Sequence, residues 1–186
     1  MSARATCPDS PCSTPWSDSS AHPALPFSDE TEPVLSTETS WEPQNPDYER
    51  VVQDSFSRQT LMTTLGARIA HLAPGLVTLT APYAPQFAQQ NGFWHAGAVA
   101  SLADSANGYA AFSLAPAGTD VLAVEFKINL LAPARGQSFE AAGRVLRPGR
   151  TLTVCSADVF GIANGTRKMI ATMLSTIIIR SVPRGA

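Results

Sequence analysis

No apolar run in the chain approaches the ~18–20 residues that a membrane-spanning helix needs, in a length of 186 residues. The start lacks a positively charged stretch followed by an apolar core, so no secretory leader is expected. Cysteine is scarce, with only Cys7, Cys12 and Cys155. The first two form a C-x4-C in a proline-rich stretch with no second Cys or His pair at metal spacing, which excludes a readable zinc site or disulfide framework. Cys155 lies in an apolar strand pattern and reads as core, and this usage fits a reducing cytoplasm. No G-x-G-x-x-G follows a strand, which argues against a dinucleotide-dependent oxidoreductase. No repeat is present, and no cofactor or metal is expected.

Charge is sparse and unevenly placed. Residues 1–45 hold one basic and seven acidic residues, and residues 46–186 hold twelve basic and eight acidic, giving the overall −2. The second part is mildly basic, which suits a small anionic ligand better than a nucleic-acid backbone. Residues 1–45 are rich in Ser, Thr, Pro and acids and lack periodicity. They are predicted to form a disordered tail, because they bury too little apolar surface to offset the entropy of ordering. Residues 46–181 are predicted to form one folded domain.

Within that domain, "PDYERVVQDSFSRQTLMTTLG" carries apolar residues at rough helical spacing with Gly66 as a stop. "ARIAHL" and "GLVTLTAPY" read as two strands joined by "APG". "APQFAQQNGFW" reads as a loop, and a long helix follows from about His95 to Leu114. In "VLAVEFKINLLAP", Leu122, Val124, Phe126, Ile128 and Leu130 alternate with Ala123, Glu125, Lys127 and Asn129. Three more strands follow after short turns, which predicts an antiparallel meander of the last four strands. One long helix beside such a sheet gives an α+β domain.

The long helix poses the chemical question. Ala, Val and Leu surround it nearly completely, as in a buried helix, yet Asp104 sits in its middle. Buried carboxylates are costly unless paired or used. Two readings stay open. Asp104 faces solvent on a stripe with Ser101, Ser105 and Asn107, or it lines a cleft as general base or nucleophile. His95 and Gly97 stand at the start of the helix, where free N–H groups and a partial positive charge can hold an oxyanion. His95 alone reads better as a loop histidine bonded to the helix start, and Asn91-Gly92 by default as a turn. Gly97 and Asp104 are separated by ~10.5 Å at 1.5 Å per residue. If both act on one small group, a second subunit completes the site.

These motifs together resemble the hotdog-fold acyl-CoA thioesterases of the phenylacetate-degradation (PaaI-like) type. The matching residues are Asn91-Gly92, His95-Ala96-Gly97, Leu102-Ala103-Asp104 and Gly108-Tyr109-Ala110, with "VEFKINLLAPARG" and "GRVLRPGRTLTV" as the following strands. The resemblance spans residues 47–180. It implies a long helix wrapped by a curved antiparallel sheet, a homodimer or dimer of dimers, and an acyl-CoA substrate with no membrane or nucleic-acid partner. It implies that Asn91 and the Gly97 amide polarise the thioester carbonyl while Asp104 of the other subunit activates water or attacks. It departs from the family at Ala96, where Gly is usual, and at Ala123, where some relatives place a water-orienting Ser. Lys127, Arg147 and Arg150, with Arg135 behind them, are candidates to meet the CoA phosphates, against an ordinary reading as surface charge. Trp94, Phe93, Tyr109 and Phe112 suit either an aryl- or medium-chain acyl pocket or the core. Two other functions compete: a hotdog dehydratase or hydratase, for which His71 and His95 are the available histidines, and a non-catalytic acyl-CoA binder.

Overall fold

In the computed structural model, which describes residues 41–181, the first helical stretch is not one helix. It divides into α1 (Tyr48–Ser57) and α2 (Thr60–Leu65). On a continuous helix Phe56 and Leu65, nine residues apart, would lie about 180° apart at about 100° per residue. The break at Arg58-Gln59 lets both segments face inward, burying Val52, Met62 and Leu65. Gly66, at φ +66°, ends α2 in the left-handed cap that glycine favours. Trp41, assigned to the tail by sequence, packs against the core beside Gly75, so the folded unit begins before residue 46. Residues 42–45 of the predicted tail are likewise described, Asn45 accepting from the Tyr48 N–H at the start of α1, and residues 1–40 lie outside the described residues.

The strands β1 (Arg68–Ala73) and β2 (Leu76–Pro82) form the expected hairpin. Pro74-Gly75 joins them, with Gly75 at φ +77°, the pattern of a type II turn. The long helix is α3 (Ala96–Phe112), followed by β3 (Thr119–Leu130), β4 (Ser138–Arg147), β5 (Leu152–Ala163) and β6 (Thr166–Ser181). All pairings are antiparallel, in the order β1-β2-β4-β5-β6-β3. The expected four-strand meander is therefore corrected to three strands. β4, β5 and β6 are joined by short turns, and Asn164-Gly165, both at positive φ, close the last one. β3 instead crosses to the far edge of β6, because β2 occupies the other side of β4.

The sheet curls around α3. Ala103, Ala106 and Ala110 are fully buried, and a Cβ on Gly143 of β4 would lie 2.4 Å from the Ala106 carbonyl carbon. Only small residues permit so close an approach of helix and strand backbones. Asn107 donates to Ser175 on β6 at 2.9 Å, a buried polar tie between helix and sheet. Burial pushes the Cys155 thiol up to about 12, consistent with an inert core cysteine. No helix among the described residues is long and apolar enough to cross a membrane.

Candidate active site

Asp104 lies where α3 passes beneath the first residues of β3. Its Oδ1 is buried and has no hydrogen-bond partner among the described residues. Burial disfavours its charged form and raises its pKa above the ordinary 3.8. The side chain lines a pocket of about 400 Å³ shared with Gln59, Gly108, Tyr109, Leu122 and Ala123. The predicted solvent stripe is absent around it: Ser105 and Asn107 are buried. A half-buried carboxylate with raised basicity beside open space can take a proton from water.

The start of α3 faces two other pockets. His95 caps the helix, its Nδ1 accepting from the Gly97 N–H at 2.8 Å. His95 and Gly97 line a pocket of about 320 Å³ with Leu61, Phe87 and Ser101. The Gly97 amide, the expected carbonyl donor, is thus committed to the cap. The N–H of Ala96 has no acceptor among the described residues. Ala96 lines a separate pocket of about 410 Å³ with Gln89, Phe93, Val99, Leu130 and Leu131. Gln89 accepts the Asn91 N–H through Oε1, which leaves its amino group as a donor. Asn91 itself is exposed and lines none of these three pockets. Ala96 and Gln89 were missed in the sequence because the histidine cap is a side-chain event that spacing does not reveal.

The remaining candidates separate. Arg147 on β4 and Arg150 beyond it lie three strands from Lys127 on β3, or ~14 Å at ~4.8 Å per strand. One chain therefore does not gather the three into a single phosphate site. Arg135 sits over the Phe93 ring at 4.6 Å. Trp94 is buried, stacked on Phe139 at 4.2 Å, and lines the Ala96 pocket together with Phe93, while Tyr109 and Phe112 line the Asp104 pocket. His71, on β1, lies at the opposite sheet edge from β3.

A family model described as the thioesterase superfamily matches residues 91–166, from the loop before α3 to the start of β6. A solved thioesterase family protein from Silicibacter pomeroyi is 49% identical, covering 73% of this chain and 99% of its own, with a TM-score of 0.72. The chain belongs to the thioesterase superfamily. The fold is shared with the PaaI protein of the E. coli phenylacetic acid degradation operon, at 20% identity, TM-score 0.66 and 73% and 94% coverage of the two chains. A Haemophilus influenzae thioesterase has 20% identity, TM-score 0.64 and coverage of 74% and 93%. The protein is a hotdog-fold thioester hydrolase, α+β, and shares its fold with the PaaI protein, as the sequence resemblance implied.

One residue of the Asp104 pocket separates stability from function. Gly108 sits inside α3, and a Cβ there meets nothing within 4 Å. Gly108→Ala is expected to stabilise the fold by about 1 kcal/mol through helix propensity. It also narrows the pocket, so kcat/KM for bulky acyl groups falls more than for small ones. Thermal unfolding and a thioester panel check the two effects.

Proposed function

We propose that the protein is an acyl-CoA thioesterase, acting on aryl- or medium-chain acyl groups, whose active site is built by two subunits. Asp104 is the general base. The partner subunit's Ala96 amide polarises the thioester carbonyl, assisted by the carboxamide of the loop before α3, where Gln89 shares its pocket and Asn91 is its neighbour.

The carrying observation is the edge strand. Among the described residues the outer edge of β3 is unpaired, and Leu122, Val124, Phe126 and Leu130 on it are 45–57% exposed. Such an edge invites another strand. If two copies of β3 pair antiparallel about a two-fold axis, the start of one meets the end of the other. Leu122 and Ala123 at the start line the Asp104 pocket, while Leu130 and Leu131 at and beyond the end line the Ala96 pocket. Pairing therefore joins the two half-sites, which are ~12 Å apart along α3 within one chain.

The chemistry then balances. Asp104 takes a proton from water as the water oxygen bonds to the carbonyl carbon. Negative charge gathers on the carbonyl oxygen and meets the amide donors. The C–S bond breaks, and the thiolate, a good leaving group with a thiol pKa near 8.5, recovers a proton from Asp104. His95 holds the helix start in place rather than touching the reacting atoms. Arg147 and Arg150 flank one turn and remain the better pair for CoA phosphate, with Lys127 on a separate edge.

Thiol release from aryl- and medium-chain acyl-CoAs tests this reading, with Val124→Lys beside wild type. A charge on the free edge of β3 is expected to leave a folded monomer by light scattering and to reduce turnover at least ~100-fold, as expected on loss of an oxyanion donor. A fully active monomer would exclude the shared site.

A further inference from the structure

The Asp104 pocket continues along α3 past the carboxylate. Its helix-side lining comes from Asp104, Ser105, Gly108, Tyr109 and Phe112, one face of α3 that runs ~12 Å along the axis. Across from this face lies the break between α1 and α2, which brings Arg58 and Gln59 to the same pocket.

The groups along this lining have spare donors, Gln59 beside Ser105 near the carboxylate, and Tyr109 and Arg58 farther along. Tyr109 is only 5% exposed, yet the nearest partner of its hydroxyl is Ser55 Oγ at 3.5 Å, the outer limit of a hydrogen bond. Gln59 receives the Ser105 hydroxyl on Oε1 at 3.1 Å, which leaves its amino group available. Arg58 forms no ion pair among the described residues. Asp120, also in the lining, accepts its neighbouring Val121 N–H. A hydrocarbon tail reaching this end would strip water from the buried Tyr109 hydroxyl and return nothing.

We infer that the preferred substrates are acyl thioesters that carry an oxygen function at the far end of the acyl group, read by Tyr109 and Arg58. The inference rests on the thioesterase reading above and names the substrate class of that same pocket. Tyr109 stands five residues beyond Asp104, ~7.5 Å along the helix, the reach of an extended chain of about six carbons. The terminal oxygen is a hydroxyl or a carboxylate, and the two make different demands. A hydroxyl needs Tyr109 more, whereas a carboxylate needs Arg58 more.

The test compares kcat/KM for hexanoyl-CoA, 6-hydroxyhexanoyl-CoA and adipoyl-CoA with wild type, Tyr109→Phe and Arg58→Gln. Tyr109→Phe keeps the ring, which packs edge-on against Phe56 at 5.5 Å, so the fold is retained. Wild type is expected to favour at least one oxygenated ester over hexanoyl-CoA by about 10-fold, the worth of one good hydrogen bond. That ratio is expected to collapse in Tyr109→Phe for the hydroxyl ester or in Arg58→Gln for the carboxylate ester. Equal or better hydrolysis of hexanoyl-CoA by wild type overturns the inference while leaving the thioesterase reading intact. So does a preference that survives in both variants. Absence of thiol release from all three esters, alongside inactivity on the aryl and other medium-chain panel, overturns the thioesterase reading and this inference with it.

Discussion

Asp104→Asn is expected to lower kcat at least ~100-fold, the scale of losing a general base, without unfolding the protein. The carboxyl of Asp104 is partly buried and its Oδ1 is unpartnered, so burial raises its pKa above 3.8. Between the ordinary and raised values, the folded protein binds a proton that the unfolded chain has released. Stability from this group is therefore full below pH 3.8 and falls as pH rises through the folded value. At neutral pH the wild type carries the whole cost. Asparagine removes the charge, so the variant gains about 1 kcal/mol, in the range usual when a functional group is traded for stability. The rate has the opposite sign: kcat/KM rises as Asp104 loses its proton, so its acid limb lies above the ordinary 3.8. Stopped-time thiol assays across pH and parallel thermal melts check both limbs. An unaltered rate in Asp104→Asn would remove Asp104 from the chemistry.

The second large effect comes from a backbone atom. Ala96→Pro deletes the Ala96 N–H and little else. Ala96 is the first residue of α3, the position where proline is best tolerated in a helix. His95 before it sits at φ −65°, ψ 142°, the extended region that proline imposes on its predecessor. The amide has no acceptor to lose within the described residues. Stability is expected to hold within about 0.5 kcal/mol, while kcat falls about 10²–10³-fold, as when one oxyanion donor is removed. Full activity in a folded Ala96→Pro protein would assign the carbonyl elsewhere, with the Gly97 amide, released from His95, next in line.

What could be read in the sequence was local. The β1–β2 hairpin and the short turns between β4, β5 and β6 are set by neighbours in the chain, and both appear in the structure as expected. Asp104 was legible because a carboxylate in an alanine-rich helix conflicts with its surroundings. The break at Arg58-Gln59 was hidden, since it follows from where Phe56 and Leu65 must pack. The position of β3 beside β6 depends on β2 already occupying β4. The simple alternation along β3 also fails: a bulge at Val124 shifts the register between Ala123 and Glu125, so Leu122 and Phe126 fall on opposite faces. At the site, the exchange of Gly97 for Ala96 as the uncommitted amide turns on one side-chain bond from His95. The three candidate phosphate cations looked like one group in sequence, but the strand order separates Lys127 from Arg147 and Arg150.

The central claim is that Asp104 and the α3 amide act across two subunits. Mixing Asp104→Asn and Ala96→Pro proteins, unfolding and refolding them together, and measuring thiol release tests it most directly. Random re-pairing makes half of the dimers mixed, and each mixed dimer holds one intact site and one doubly altered site. Activity is then expected to return to roughly a quarter of wild type. If Asp104 and Ala96 act within one subunit, every site keeps one defect, and the mixture stays as inactive as its two components.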